Sequence, residues 1–72
     1  MSMEGHMKEI FEKYSDMLYK LCIVMLCNEQ DVQDAIQETF CRYLERKPVF
    51  RDAEHEKAWL IRVATNICRD ML

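Results

Sequence analysis

A single glycine and a single proline interrupt this chain. So little glycine excludes a glycine-rich phosphate cradle and most hairpin-rich β folds, whose tight turns need positive φ. The longest apolar run, Leu21 to Cys27, falls far short of the ~20 residues that span a bilayer, so no membrane insertion is expected. No apolar stretch stands at the N-terminus, as a secretory signal would require. A basic excess is also absent. Lys and Arg number 10 against 13 Asp and Glu, for a formal net charge of −3. That balance counts against non-specific nucleic-acid binding, because neutralising phosphates needs cations. The cysteines (Cys22, Cys27, Cys41 and Cys68) show no CxxC spacing, and His6 and His55 stand far in sequence from any cysteine pair. No metal framework and no cofactor are therefore expected. All four cysteines fall in apolar periodic segments. They read as reduced, structural thiols of a cytoplasmic protein, with redox or metal use as the lesser alternative.

What is present is apolar and charged: 72 residues, 50% hydrophobic by type and 32% charged. That is one domain, near the lower size limit for unaided folding, and too apolar for a disordered chain. It is also too small to enclose a water-excluding catalytic cleft. With no nucleophile–base pair and no ligand cluster, it reads as a non-enzyme.

Three segments carry helical periodicity. The first runs from about Lys8 to Cys27, with Ile10, Phe11, Tyr14, Met17, Leu18, Leu21, Cys22, Val24 and Met25 along one stripe. The second runs from about Glu29 to Arg46, with Val32, Ala35, Ile36, Phe40, Tyr43 and Leu44 as its stripe. Asn28 is its expected N-cap and Pro48 its stop. The third runs from about Glu54 to Leu72 through Leu60, Ile61, Ala64, Ile67, Cys68 and Met71. Asp52 is placed to cap it. The fold expected is all-α, a compact three-helix bundle over residues 8–72. Residues 1–7 (MSMEGHM) read as a disordered lead-in or an expression remnant. The third pattern is still running at Leu72, so a fragment of a longer protein is expected.

Two faces remain once the stripes are assigned. Asp31, Asp34, Gln37 and Glu38 share one face of the second segment with Cys41, and no Lys or Arg occurs between Glu29 and Glu38. Two readings are open: a solvated face with acids favoured near a helix N-terminus, or a docking face for a basic protein surface. The second face gathers Phe50, Arg51, Trp59, Arg62, Asn66 and Arg69. Aromatics beside Arg and Asn suit single-stranded nucleic acid, offering stacking platforms, phosphate partners and a base-edge reader. Equally, the aromatics are common core residues, and Asn66 has an alternative role bonding a neighbouring helix.

Taken together, these residues resemble region 2 of bacterial RNA polymerase sigma factors of the extracytoplasmic-function (ECF) group. The family pattern is an acidic D-x-x-D-x-x-Q-E-x-F helix, an F-R loop and a W-L-x-R-[IV]-A-x-N-x-x-x-D helix. Here it is carried by Asp31, Asp34, Gln37, Glu38 and Phe40, then Phe50 and Arg51, then Trp59, Leu60, Arg62, Val63, Ala64, Asn66 and Asp70. Tyr14, Leu18 and Tyr19 fit a further family pattern in the first helix. The resemblance covers about Ile10 to Leu72. In one departure, Asp52 follows Phe50-Arg51 where a glycine often stands.

The resemblance implies a non-catalytic role in transcription initiation. Asp31, Asp34, Gln37 and Glu38 would dock on the clamp helices of the polymerase largest subunit. The loop around Phe50 and Arg51 would receive a base flipped from the −10 promoter element. Arg62, Asn66 and Arg69 would face the single DNA strand, with Asn66 as base reader, and Trp59 would either stack on a base or pack the loop. A linker and a C-terminal helix-turn-helix domain would be missing, and an anti-sigma factor is an implied partner. The alternative function is a small helical protein–protein interaction module without DNA binding.

Overall fold

The computed structural model describes residues 3–72. It contains three helices, α1 (Met3–Leu26), α2 (Glu29–Arg46) and α3 (Ala53–Met71), all in mutual contact, and no strand among the described residues. The all-α bundle is as expected. The start of α1 is earlier than the expected Lys8: the helix begins at Met3, so residues 3–7 of the expected lead-in or expression remnant are helical, and residues 1 and 2 lie outside the described residues. A physical reason is visible in the packing. Met7 lies against the core, and the His6 ring sits 6.4 Å from that of Tyr43.

Both expected N-caps form. Asn28 accepts the Asp31 N–H at 3.0 Å and Asp52 accepts the His55 N–H at 2.8 Å, each satisfying an amide that the helix leaves orphaned. The C-terminal ends are less usual. With glycine so scarce, the left-handed turns that close α1 and α2 fall to Cys27 (φ 54) and Lys47 (φ 46). Their N–H groups donate to Ile23 O at 2.9 Å and Tyr43 O at 3.0 Å. A side chain in that conformation costs about 1–2 kcal/mol per residue, which these bonds and the packing beyond them must offset.

The connections are short, only residues 27–28 between α1 and α2, and the ring contacts give the directions. His6 meets Tyr43 and Phe11 meets Phe40, so numbers rise along α1 as they fall along α2. Tyr43 meets Trp59 across the next connection. The helices therefore alternate in direction. The longest dimension of the molecule, 36 Å, equals the length of α1 alone at about 1.5 Å per residue.

The core is one cluster. Ile10, Tyr14, Leu18 and Cys22 come from α1, Val32, Ala35, Ile36, Phe40 and Tyr43 from α2, and Leu60, Val63, Ala64, Ile67 and Cys68 from α3. Thr39 is fully buried among them, its hydroxyl donating to Ala35 O at 2.7 Å. That back-bond removes the penalty for burying an unpaired hydroxyl. The inward stripe of α1 is narrower than its apolar positions suggest. Val24 is 79% exposed and Phe11 49%. Leu44 and Met71, also expected in the stripes, are exposed near helix C-termini. Among the thiols, Cys22 and Cys68 are buried and free, whereas Cys27 and Cys41 are free but exposed and are not core residues. Burial, with the Cys68 thiol beside it, pushes the Cys22 thiol up to about 12.

One polar group ties all three helices. The Tyr14 hydroxyl of α1 donates to Glu56 Oε1 at 2.8 Å, and the Tyr43 hydroxyl of α2 donates to Glu56 Oε2 at 3.0 Å. Burial, then the bond to the Glu56 carboxylate, raises both phenols from 10.0 to about 12. The fold thus favours the neutral phenols. Their contribution to stability is complete below pH 10 and is lost as the pH rises towards 12. An alkaline titration followed by tyrosinate absorbance and helix content should show two phenols resisting ionisation until the helices melt. Ionisation of Tyr14 and Tyr43 near pH 10 with helix content intact would contradict this account.

Candidate functional site

Along α2 the acidic face projects outward. Asp34, Gln37 and Glu38 are exposed and Asp31 is half-buried at the first turn. Spacings of three and four keep them on one side of the helix, and their position near its N-terminus suits negative charge. Their partners differ. Asp34 Oδ1 accepts a long 3.4 Å bond from the neutral Gln30 amide, whereas Glu38 Oε1 pairs with Arg42 Nε at 3.3 Å. Asp34 therefore presents an unneutralised charge, and Glu38 a partly neutralised one. Beside this face, α1 and α2 leave an open groove of about 370 Å3 lined by Phe11, Ile36, Gln37, Phe40, Cys41 and Leu44 among others. The Phe11 and Phe40 rings meet there at 5.2 Å. Phe11 and Leu44, expected in the core, instead form part of this groove.

The connection 47–52 and the start of α3 build a different surface. Phe50 does not stand free. Its ring lies 5.3 Å from His55, 6.0 Å from Trp59 and 6.0 Å from Tyr43. Trp59 is half-buried and meets Tyr43 edge-on at 5.8 Å. The geometry is that of a packed aromatic cluster with Tyr43 as its floor. Next to Phe50, the exposed Arg51 is held by its backbone, whose N–H donates to His55 Nδ1 at 3.2 Å. Val49, at the tip of the connection, is almost fully exposed.

Beyond Trp59 the outer face of α3 carries Arg62, Asn66 and Arg69, all exposed. Spacings of four and three align them in one row along the helix. None of the three has a side-chain hydrogen bond or ion pair among the described residues. The alternative role for Asn66, a bond to a neighbouring helix, is therefore not taken up. The structure brings Phe50, Trp59 and the backbone of Arg51 into one contiguous set leading to the α3 row. The acidic set belongs to α2 and is not part of it.

Three contributors were not singled out from the sequence. Tyr43 reads there as a plain core position, His55 only as a histidine far from the cysteines, and Glu56 is not singled out at all. A tyrosine at a core position carries one signal, since a buried hydroxyl needs a partner, but nothing local says that the partner is Glu56. No group of three metal-ligating side chains occurs among the described residues, and no helix there is long and apolar enough to cross a membrane.

A helical bundle with an acidic helix, an aromatic-backed connection and an Arg–Asn–Arg row has a counterpart among known families. Residues 10–72 match the family model for sigma-70 region 2, and the chain belongs to that family. Within it, this is a region 2 domain of the ECF group. The chain is 34% identical over 64 residues to the ECF RNA polymerase sigma factor SigW of Bacillus subtilis, covering 89% of this chain and 34% of that protein. It is 31% identical over 64 residues to the ECF RNA polymerase sigma factor SigE of Mycolicibacterium smegmatis, covering 89% and 24%. Over 68 residues it is 26% identical to the ECF RNA polymerase sigma factor SigX of Bacillus subtilis, covering 94% and 35%. The chain thus spans between 24% and 35% of the length of these relatives. No solved structure gives a significant match.

Proposed function

We propose that this domain acts in transcription initiation, docking on RNA polymerase core through α2 and capturing single-stranded bases of the −10 promoter element with the 47–52 connection and α3. The observation that carries this reading is the α3 row. An asparagine in a helix interior is mildly unfavourable, and Asn66 is exposed and unbonded, so folding gives it no role. Flanked by Arg62 and Arg69, it has the chemistry of a base-edge reader between phosphate contacts. Phe50 and Arg51 form the wall of the site that accepts an unstacked base. Trp59, packed on Tyr43 and Phe50, supports the connection from beneath and does not stack on DNA. Melting here is capture without covalent chemistry: binding offsets the few kcal/mol needed to unstack a base.

Asp31, Asp34, Gln37 and Glu38 meet the clamp helices of the polymerase largest subunit in this reading. An anti-sigma protein covering the same faces would hold the domain inactive. Polymerase and promoter place the protein in the cytoplasm. A net charge of −3 makes DNA binding by the domain alone weak, so specificity is expressed when polymerase supplies further phosphate contacts.

The test is a titration of labelled single-stranded −10 and scrambled oligonucleotides into the protein with polymerase core present. Asn66→Ala should reduce the preference for the −10 sequence by about tenfold, the scale of one good base contact, while leaving binding to the scrambled strand unchanged. An unaltered preference removes Asn66 as the reader. No sequence preference in the wild type would favour a helical protein-interaction module, for which the Phe11-lined groove would be the working surface.

A further inference from the structure

Glu56 has no role in the reading above, yet its surroundings are unusual. It is half-buried at the start of α3 and has no cationic partner among the described residues. Each carboxylate oxygen instead accepts one phenol, from Tyr14 and Tyr43. Through them α3 is bonded to both of the other helices. A half-buried carboxylate without a cation is a poor choice for stability alone, because desolvating the charge offsets much of what its hydrogen bonds return. Apolar side chains would close the same seam.

What a carboxylate supplies and an apolar group does not is direction. A tyrosine ring held only by packing is free to tilt; one whose hydroxyl is bonded to a charged acceptor is fixed at its far end. Tyr43 is the ring for which this matters. It is the floor shared by Phe50 and Trp59, and His6 packs on it as well. Tyr14 has no aromatic contact with the 47–52 connection. Thus one of the two bonds leads to the base-capturing wall, while the other only joins α1 to α3. His55, adjacent in sequence, fixes the Arg51 backbone and packs on Phe50. Of these consecutive residues of α3, His55 reaches the connection directly and Glu56 reaches it through Tyr43.

We propose that Glu56 is a positioning residue: through its bond to the Tyr43 hydroxyl it sets the aromatic floor on which Phe50 rests, and so the shape of the wall that receives a DNA base. This rests on the −10 reading for its functional part. The structural part stands separately and has its own readout, because Trp59 is the sole tryptophan and belongs to the same cluster.

The experiment compares the full chain with Tyr43→Phe, Tyr14→Phe and Glu56→Ala by acrylamide quenching of Trp59 fluorescence, and by −10 against scrambled oligonucleotide binding with polymerase core present. Tyr43→Phe keeps the ring and removes only the bond; Tyr14→Phe removes the bond on the other oxygen of the same carboxylate. Quenching should rise by about twofold in Tyr43→Phe and Glu56→Ala but not in Tyr14→Phe. Discrimination should fall by about three- to tenfold in the same two variants, the scale of one hydrogen bond. If Glu56→Ala fails to fold, Tyr43→Phe carries the comparison. Equal quenching in the two tyrosine variants overturns the positioning role whatever happens with DNA. A raised quenching in Tyr43→Phe with wild-type discrimination overturns its link to base capture. If quenching separates the variants but the wild type shows no sequence preference, the positioning of Phe50 by Glu56 holds and the −10 reading fails.

Discussion

Leu60→Ala should come close to unfolding the domain. Leu60 is fully buried on α3 within the single core cluster. Truncating such a leucine costs about 2–5 kcal/mol, the spread depending on how far the cavity can collapse. A domain of 72 residues at about 0.05–0.15 kcal/mol per residue has a total stability of roughly 4–11 kcal/mol. The loss is thus a large share of the whole. Urea unfolding followed by helix content should show a much lower midpoint with an unchanged slope. A loss below about 1 kcal/mol would mean that the three helices close over the site, and that no single side chain governs this core.

The second large effect concerns the acidic face of α2. Under the docking role proposed for that face, Asp34→Lys should weaken binding to the polymerase clamp helices by about ten- to a hundredfold, mainly through slower association that is steeply salt-dependent. Glu38→Lys should do less. Arg42 already pairs with Glu38, so the reversal disrupts a charge partly neutralised within the helix, whereas Asp34 has only the Gln30 amide. Association rates measured across a range of ionic strength would show the ordering. Wild-type kinetics in both variants would remove α2 as the docking surface.

Most of the architecture is legible in the sequence because the signals are local. Asn28, Asp52 and Pro48 mark helix boundaries through their own chemistry, and the stripes through Leu18, Val32 and Leu60 follow from periodicity. Apolar periodicity is less able to say how wide the inward face is. Phe11, Val24, Leu44 and Met71 satisfy the pattern and still face solvent, because a bundle of three helices buries only a narrow strip of each. Thr39 is hidden from such reading for the opposite reason: its polarity suggests a surface, yet its back-bond lets it enter the core. Around the proposed DNA face, Phe50, Arg51, Trp59, Arg62, Asn66 and Arg69 are visible as residue types. Their division into packed and open members is not, since it depends on Tyr43 lying beneath two of them. The choice of Glu56 by two tyrosines from other helices is likewise a tertiary fact with no local signature.

The two bonds to Glu56 also differ in the length of chain each closes, which bears on the order of assembly. Tyr43 and Glu56 are 13 residues apart, Tyr14 and Glu56 are 42. Closing the longer loop costs about 1 kcal/mol more chain entropy. Of the two bonds, the one that ties the aromatic floor to α3 is therefore the less costly to close in chain entropy, and the one that ties α1 to α3 the more costly. If the less costly bond forms first, Tyr43→Phe should mainly slow refolding and Tyr14→Phe mainly speed unfolding, which the two limbs of a chevron would separate. The element that shapes the proposed DNA-facing wall would then be the first part of the chain to acquire its native form.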